Sequence, residues 1–255
     1  MTGVLPVGLA NSTRVIGNVV HSLKEYVMVV QLHGEVSEER VRRVVEYFRG
    51  DIYQRPPLRS SVKRKIRVRR IHEIELLEKR DRFLLLRVLC DPGTYMRKLA
   101  HDMGLFLGVG AHMRELRRTR TGPYREDETL VTMQEVSEAL YTWRELGDER
   151  YLRRVVLPVE TSVAHLPKIV ILDTAVDAIA HGADLAAPGI SMLTDNVERG
   201  SITALLTLKG ELVALAKAAM SSKEIANAKK GIVAKTWRVL MPPGKYPKTW
   251  GGRRA

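Results

Sequence analysis

Between Cys90 and Tyr124 the sequence CDPGTYMRKLAHDMGLFLGVGAHMRELRRTRTGPY leaves the backbone few choices. Asp91-Pro92-Gly93 reads as a tight turn, since Pro presets φ and Gly accepts a left-handed backbone without steric cost. The run before it, Phe83–Cys90, is strand-like. The segment after it, Tyr95–Leu107, reads as a helix with Thr94 as N-cap and Leu99, Met103 and Phe106 facing inward. Gly108-Val109-Gly110 ends the helix, and a strand bearing Arg114, Arg117, Arg118 and Arg120 follows. The expected fold class is α+β, a mixed, mostly antiparallel sheet with flanking helices. Arg97 stands near the start of the helix, where it can point into a cleft and hold a carboxylate or another anion.

The flanking chain is compatible with that core. Met1–Arg14 reads as a loop entering a short helix at Pro6–Thr13, and Glu25–Leu32 as a buried strand. Ser37 is a good N-cap for a helix whose stripe is Val41, Val44, Val45 and Phe48, with Gly50 closing it at C′. Tyr53–Ser61, with two prolines, reads as an extended loop. Lys63–Arg70 reads as a strand with Lys63, Lys65, Arg67 and Arg69 on one face, and Arg64, Ile66, Val68 and Arg70 on the other. The cationic face suits phosphate, while the interleaved Ile and Val suit packing; a merely solvated basic run is the plainer alternative. Ile71–Leu77 and Phe83–Cys90 form a hairpin across Glu78–Arg82. Thr132 and Glu135 make a capping box for a helix with Val136, Ala139, Leu140 and Trp143 on its buried stripe, and a second short helix covers Glu149–Val155.

Leu157–Pro167, bracketed by prolines, has the look of a boundary. Beyond it come short β-rich segments with Gly turns: Ile169–Leu172, a helix Thr174–His181, a hairpin of Ser201–Leu208 with Glu211–Ala218, and Gly231–Leu240. The expected organisation is a first domain over 1–156, a linker at 157–166, a small β-barrel over 167–242 and a basic tail over 243–255 whose large apolar residue is Trp250.

Charge narrows the function. Against 29 Asp+Glu stand 42 Lys+Arg, a net charge of +13, which points to a polyanion, either nucleic acid or an anionic membrane surface. No apolar run approaches the ~20 residues of a spanning helix. Cys90 is the single cysteine, so neither an intrachain disulfide nor a Cys-based zinc site can form, which suits a reducing, cytoplasmic setting. The seven histidines lack metal-ligand spacing, and no phosphate-binding or dinucleotide glycine motif or nucleophile elbow is present, so neither metal nor cofactor is expected.

PPLRSSVKRKIRVR, GTYMRKLAHDMG and GVGAHMRELRRTRTGPY resemble the second and third motif blocks of the TruB/dyskerin pseudouridine synthases, and MTGVLPVGLANSTR resembles the end of the first. AIAHGADLAAPGI resembles a PUA RNA-binding domain. The wording SSVKR and HMRELRRTR is closer to the archaeal and eukaryotic branch, the catalytic subunit of box H/ACA guide-RNA particles. The resemblance spans nearly the whole chain and implies the pseudouridine synthase fold and a cofactor-free conversion of uridine to pseudouridine in rRNA or tRNA. It implies Arg97 as partner of a catalytic Asp, Tyr95 beside it, Leu116 lining the pocket and Lys63 as the second block's Lys. The base-stacking position, ordinarily Tyr, falls at His72; the alternative for His72 is a strand residue pointing to solvent. RNA is expected along Lys63, Lys65, Arg67, Arg69, Arg117, Arg118 and Arg120, and at the Gly182-Ala183 turn, where backbone can approach closely. Implied partners are a guide RNA and small accessory proteins: a zinc-ribbon type, a β-barrel and a kink-turn binder.

One departure is large. The family's first block runs Gly-Thr-Leu-Asp-Pro, a variable residue or two, then Thr-Gly-Val-Leu-Pro, and here the chain opens at Met1-Thr2-Gly3, so the catalytic Asp is expected upstream of Met1. Three readings stay open: an enzyme whose start was placed at an internal Met or a fragment of one, a truncated paralogue serving as an RNA-binding scaffold, and a PUA-type binding protein of ribosome assembly or translation.

Overall fold

A computed structural model describes residues 1–56 and 63–248, and the chain divides into two compact units: Met1–Pro6 with Val19–Val155, and Val7–Asn18 with Val156–Ala255. In chain order the elements of the first part are β1 (Thr2–Gly3), a 3-10 turn at Ala10–Arg14, α1 (Ile16–His21), β2 (Lys24–Leu32), α2 (Glu38–Tyr47), β3 (Gly50–Gln54), β4 (Arg67–Arg80), β5 (Phe83–Cys90), α3 (Met96–Leu107), β6 (Ala111–Thr121), β7 (Tyr124–Arg125), α4 (Met133–Leu146) and α5 (Arg150–Val155). The helical start expected at Pro6–Thr13 is thus the 3-10 turn followed by α1.

Among the described residues the first unit holds a seven-stranded sheet in the order β1-β6-β2-β5-β4-β3, with β7 paired to β6. Its pairings are antiparallel except β1 on β6, where Thr2 lies opposite Arg117. Strand alternation puts Met28, Val30 and Leu32 of β2 and Leu84, Leu86, Val88 and Cys90 of β5 on the buried face. Helices α2 and α3 supply the other half of that core through Val41, Val45, Leu99, Met103 and Leu107. The Ser37 hydroxyl accepts the Arg40 N–H, and Glu38 and Glu39 sit in the first turn, where the helix dipole favours them.

Several expectations need correcting. Helix α2 stops at Tyr47, with the Phe48 N–H bonded to the Val45 and Glu46 carbonyls, and Gly50 opens β3 instead of closing the helix. The loop expected from Tyr53 is strand up to Gln54, because Arg67–Ile71 offers β3 a ladder partner; residues 57–62 lie outside the described ones. The cationic strand begins at Arg67, leaving Lys63 and Lys65 exposed and outside it. Its supposed packing residues Ile66 and Val68 are exposed as well. Phe106 points outward and lies against Tyr47 and Phe48; the inward face of α3 is Met96, Leu99, Ala100, Met103, Gly104 and Leu107. The capping box of α4 forms, but of its expected stripe only Ala139 is buried and Trp143 is exposed.

The second unit adds β8 (Lys168–Ile171), α6 (Asp173–Ala180), β9 (Leu185–Ala186), β10 (Ile190–Leu193), β11 (Ile202–Leu206), β12 (Leu212–Ala218), α7 (Ser222–Asn227) and β13 (Ile232–Val239). Its barrel-like sheet runs β10-β8-β11-β12-β13-β9. Ile169, Ile171, Val176, Ile179, Leu205, Val213 and Val233 fill its core. Val15, from the segment Val7–Asn18, packs with Val163, Leu206 and Leu215 in a separate cluster of the same unit, so residues read as the first domain's opening belong to the second unit. Segment 157–166, read as linker, contains the 3-10 turn Val159–Val163, and Val163 is buried. Trp250 lies outside the described residues. No helix among them is long and apolar enough to cross a membrane.

Candidate active site

The turn between β5 and α3 is held from three sides. Asp91 exchanges backbone hydrogen bonds with β4: its N–H donates to Arg70 O at 2.9 Å, and its Oδ2 accepts the Arg70 N–H at 3.0 Å. Asp91 Oδ1 lies 2.9 Å from His72 Nε2; an ionised carboxylate can only accept, so Nε2 carries the proton. Partial burial works against the Asp91 charge, but the His72 and Arg70 hydrogen bonds and the positive charges of His72 and Arg69 outweigh it and hold the carboxyl below its ordinary value. Asp91 therefore binds its proton less readily folded than unfolded. Its contribution to stability is present above the unfolded value and is lost as pH falls through the folded one. Asp91→Asn should flatten the acid limb of a melting-temperature profile, and an unchanged limb would count against the linkage.

Thr94 does not cap α3. Its hydroxyl donates to Asp91 O at 2.7 Å and closes the turn, and the N-cap position falls to Tyr95, whose own side chain makes no capping bond. Gln54, at the end of β3 and 1% exposed, takes over: its Oε1 accepts the Tyr95 N–H at 2.9 Å and its Nε2 donates to Tyr95 O at 3.2 Å. One buried amide thus satisfies both backbone groups at the helix start. Sequence reading missed Gln54 entirely, having placed that position in a loop. Arg69 crosses the same turn; its Nη2 stands 3.4 Å from where a Gly93 side chain would begin, and Gly93 has φ +77°. Arg69 Nη1 donates to Val68 O, and its Nε is buried without a hydrogen-bond partner among the described residues.

Arg97, in the first turn of α3, is exposed and has no ion-pair partner among the described residues. The nearby acids are otherwise engaged: Asp91 in the turn, and Asp102 with Lys98. His72, on β4, is one-third exposed and hydrogen-bonded to Asp91. Leu116 is buried in β6 opposite Met28. Burial pushes the Cys90 thiol up to about 12, which leaves it protonated and no nucleophile.

The arginines of β6 are less available than their sequence suggests. Arg117 makes a bidentate ion pair with Glu126, Arg118 donates to Val4 O at 2.8 Å, and Arg120 donates to Gly122 O at 3.0 Å. Arg67 and Arg69 are half-buried. In the second unit Gly182 and Ala183 are exposed, and the space where a Gly182 side chain would stand is open. Their N–H groups are already bonded to Ile179 O and Ala178 O, so this turn presents an open surface but not free donors.

Comparison with known proteins agrees with this architecture. Residues 1–96 match the TruB family pseudouridylate synthase N-terminal domain, 97–164 the tRNA pseudouridylate synthase B C-terminal domain, and 167–240 the PUA domain. The chain is 52% identical to a probable tRNA pseudouridine synthase B of Methanosarcina barkeri, over 98% of this chain and 74% of that protein. It is 51% identical to the protein of that name from Saccharolobus solfataricus, over 97% and 98%. A solved Cbf5-Nop10-Gar1 complex superposes with a TM-score of 0.92 at 51% identity, covering 96% of this chain and 75% of that one. An H/ACA RNP bound to a substrate RNA containing 2′-deoxyuridine gives 0.91 at 48% identity, over 97% and 75%. The fold is that of a pseudouridine synthase with a PUA domain, and the chain belongs to the TruB family of pseudouridylate synthases.

Proposed function

We propose that this chain contributes the Arg97 side of an RNA uridine-isomerising active site and acts with a guide RNA and accessory proteins. Arg97 itself carries the reading: an exposed guanidinium, on a helix start held by Gln54, with no carboxylate of its own among the described residues. Such a group favours the ionised form of a carboxylate brought beside it. In the reaction the C1′–N1 bond of uridine breaks, the base turns, C5 bonds to C1′, and the C5 proton is lost while N1 regains one. Arg97 holds the catalytic Asp, Leu116 and Tyr95 line the pocket, and His72 lies against the flipped base. The similar structures include a Cbf5-Nop10-Gar1 complex and an H/ACA RNP with substrate RNA, which supports guide RNA and accessory proteins as partners.

None of the 255 residues forms a Gly-Thr-Leu-Asp-Pro segment. β1 runs parallel to β6 with Thr2 opposite Arg117, which supports a reading in which such a segment, joined to Thr2 through a variable residue or two, would continue the strand back along β6. The test adds that segment ahead of Thr2 and supplies a uridine-containing RNA with its guide. Pseudouridine should form, and Arg97→Ala in the same protein should reduce the rate about a hundredfold or more. Turnover indifferent to Arg97, or RNA binding without any turnover, would remove the catalytic assignment; the second outcome leaves an RNA-binding scaffold.

A further inference from the structure

Arg118 of β6 reads from sequence as an RNA contact, yet its bonds run inward. It is half-buried and lies opposite Gly3 in the β1–β6 ladder and opposite Tyr26 in the β2–β6 ladder. Its backbone and its side chain both reach Val4, the residue after β1. Arg118 O accepts the Val4 N–H at 2.8 Å, and Arg118 Nε donates to Val4 O, also at 2.8 Å. One residue thus satisfies both polar backbone groups of Val4. The Tyr26 hydroxyl lies within hydrogen-bonding reach of the same guanidinium. Lys24, a buried cation close by, cannot stand in for it: its Nζ is committed to Val19 O, Val20 O and Ser22 O at the end of α1.

Strand β1 has little else to direct it. It spans two residues, Thr2 and Gly3, and among the described residues it pairs with β6 alone. Gly3 has φ +105°, and a side chain there would begin 2.1 Å from Arg118 O and 2.6 Å from Arg118 N. The chain therefore lies against the Arg118 peptide as closely as Gly permits. Val4, next along, is buried. So short a strand has few ladder bonds, and the side chain that ties down Val4 sets the line along which the chain enters β1. An arginine kept for phosphate would present its donors to solvent, whereas here Nε is engaged by Val4 O.

We infer that Arg118 is a positioning residue for the uridine-isomerising reaction: by anchoring Val4 it aims the segment ahead of Thr2 that carries the catalytic carboxylate. This rests on the reading above, in which that segment supplies the Asp beside Arg97. Misplacing a reacting group by about 1 Å costs about a hundredfold in rate. The test uses the protein extended by the Gly-Thr-Leu-Asp-Pro segment, with a uridine-containing RNA and its guide, and measures RNA affinity and the single-turnover rate separately. Arg118→Met keeps the length of the side chain and removes its donors. It should slow the single turnover about a hundredfold and leave RNA affinity and its salt dependence unchanged. Arg118→Lys, which restores the charge and a donor, should recover part of that rate. In the 255-residue chain the Val4 amide should exchange faster in Arg118→Met, while Met28 and Leu86 keep their protection. Weaker RNA binding with a flatter salt dependence and an unchanged single-turnover rate overturns the assignment and makes Arg118 a phosphate contact. Val4 exchange unmoved in the folded variant overturns it as well. If Arg118→Met does not fold, Arg118→Lys carries the same measurements, with a slower turnover and faster Val4 exchange than the parent expected and parental values overturning the role. An extended parent without turnover removes the catalytic reading itself, and the positioning role with it.

Discussion

Gly104→Ala should destabilise the first unit by about 3 kcal/mol or more, the reverse of what the substitution does in an ordinary helix. In a free helix interior, Ala is favoured over Gly by about 1 kcal/mol. Here a Cβ at Gly104 would stand 2.1 Å from Ala111 N and 2.5 Å from Gly110 C. Both are backbone atoms, so no rotamer change relieves the clash. Helix α3 would have to lift off β6 or shift along it. Either movement breaks the Gly110 N–H bond to Gly104 O, which is 2.9 Å long, and loosens the packing of Met103 and Leu107. The same shift would carry Tyr95 and Arg97 with it, so on the proposed function the protein extended by the Gly-Thr-Leu-Asp-Pro segment should lose turnover alongside the melting temperature. A variant melting at or above the parent would show that α3 does not sit this close to β6.

Gln54→Ala should cost about 2–4 kcal/mol, since it removes a fully buried side chain and leaves the Tyr95 N–H and C=O without their partner. Gln54→Glu is the sharper variant because it keeps the shape. A carboxylate can still accept the Tyr95 N–H, but it cannot donate to Tyr95 O, and it places an unpaired charge beside that carbonyl. The Glu variant should therefore be no better than the Ala variant at neutral pH. It should recover on acidification, as the protonated acid regains a donor. Amide exchange at Tyr95 and Met96 and the melting temperature report this together. Equal protection in the parent and both variants would mean that the start of α3 needs no help from β3.

The parts of the fold that the sequence made legible share one property: their causes lie within a few residues. Ser37 caps α2 through Arg40, three positions on, and the Thr132–Glu135 box spans the same distance. The alternation of β2 and β5 and the hairpin between β4 and β5 are likewise written in contiguous residues. The family motifs around Arg97 and Leu116 were legible too, because they recur as words. Thr94 shows where such reasoning stops: its type is right for a cap, but its hydroxyl is taken by Asp91 O in the turn.

By itself, then, the sequence determined the α+β class, the run of strand, turn and helix that carries Arg97, the excess positive charge and the resemblance to RNA uridine isomerases. Tertiary structure alone decided which residues support that run. Gln54 meets Tyr95 across 41 positions, Arg118 meets Val4 across 114, and Arg14 meets Val239 across 225. The exposure of Phe106, the commitment of Arg117 to Glu126 and the place of Val15 in the second unit were settled the same way. The physical reason is that a side chain's free energy depends on what surrounds it. Periodicity and capping describe neighbours along the chain, whereas strand register brings distant backbone groups within 3 Å, where a hydrogen bond either forms or is lost.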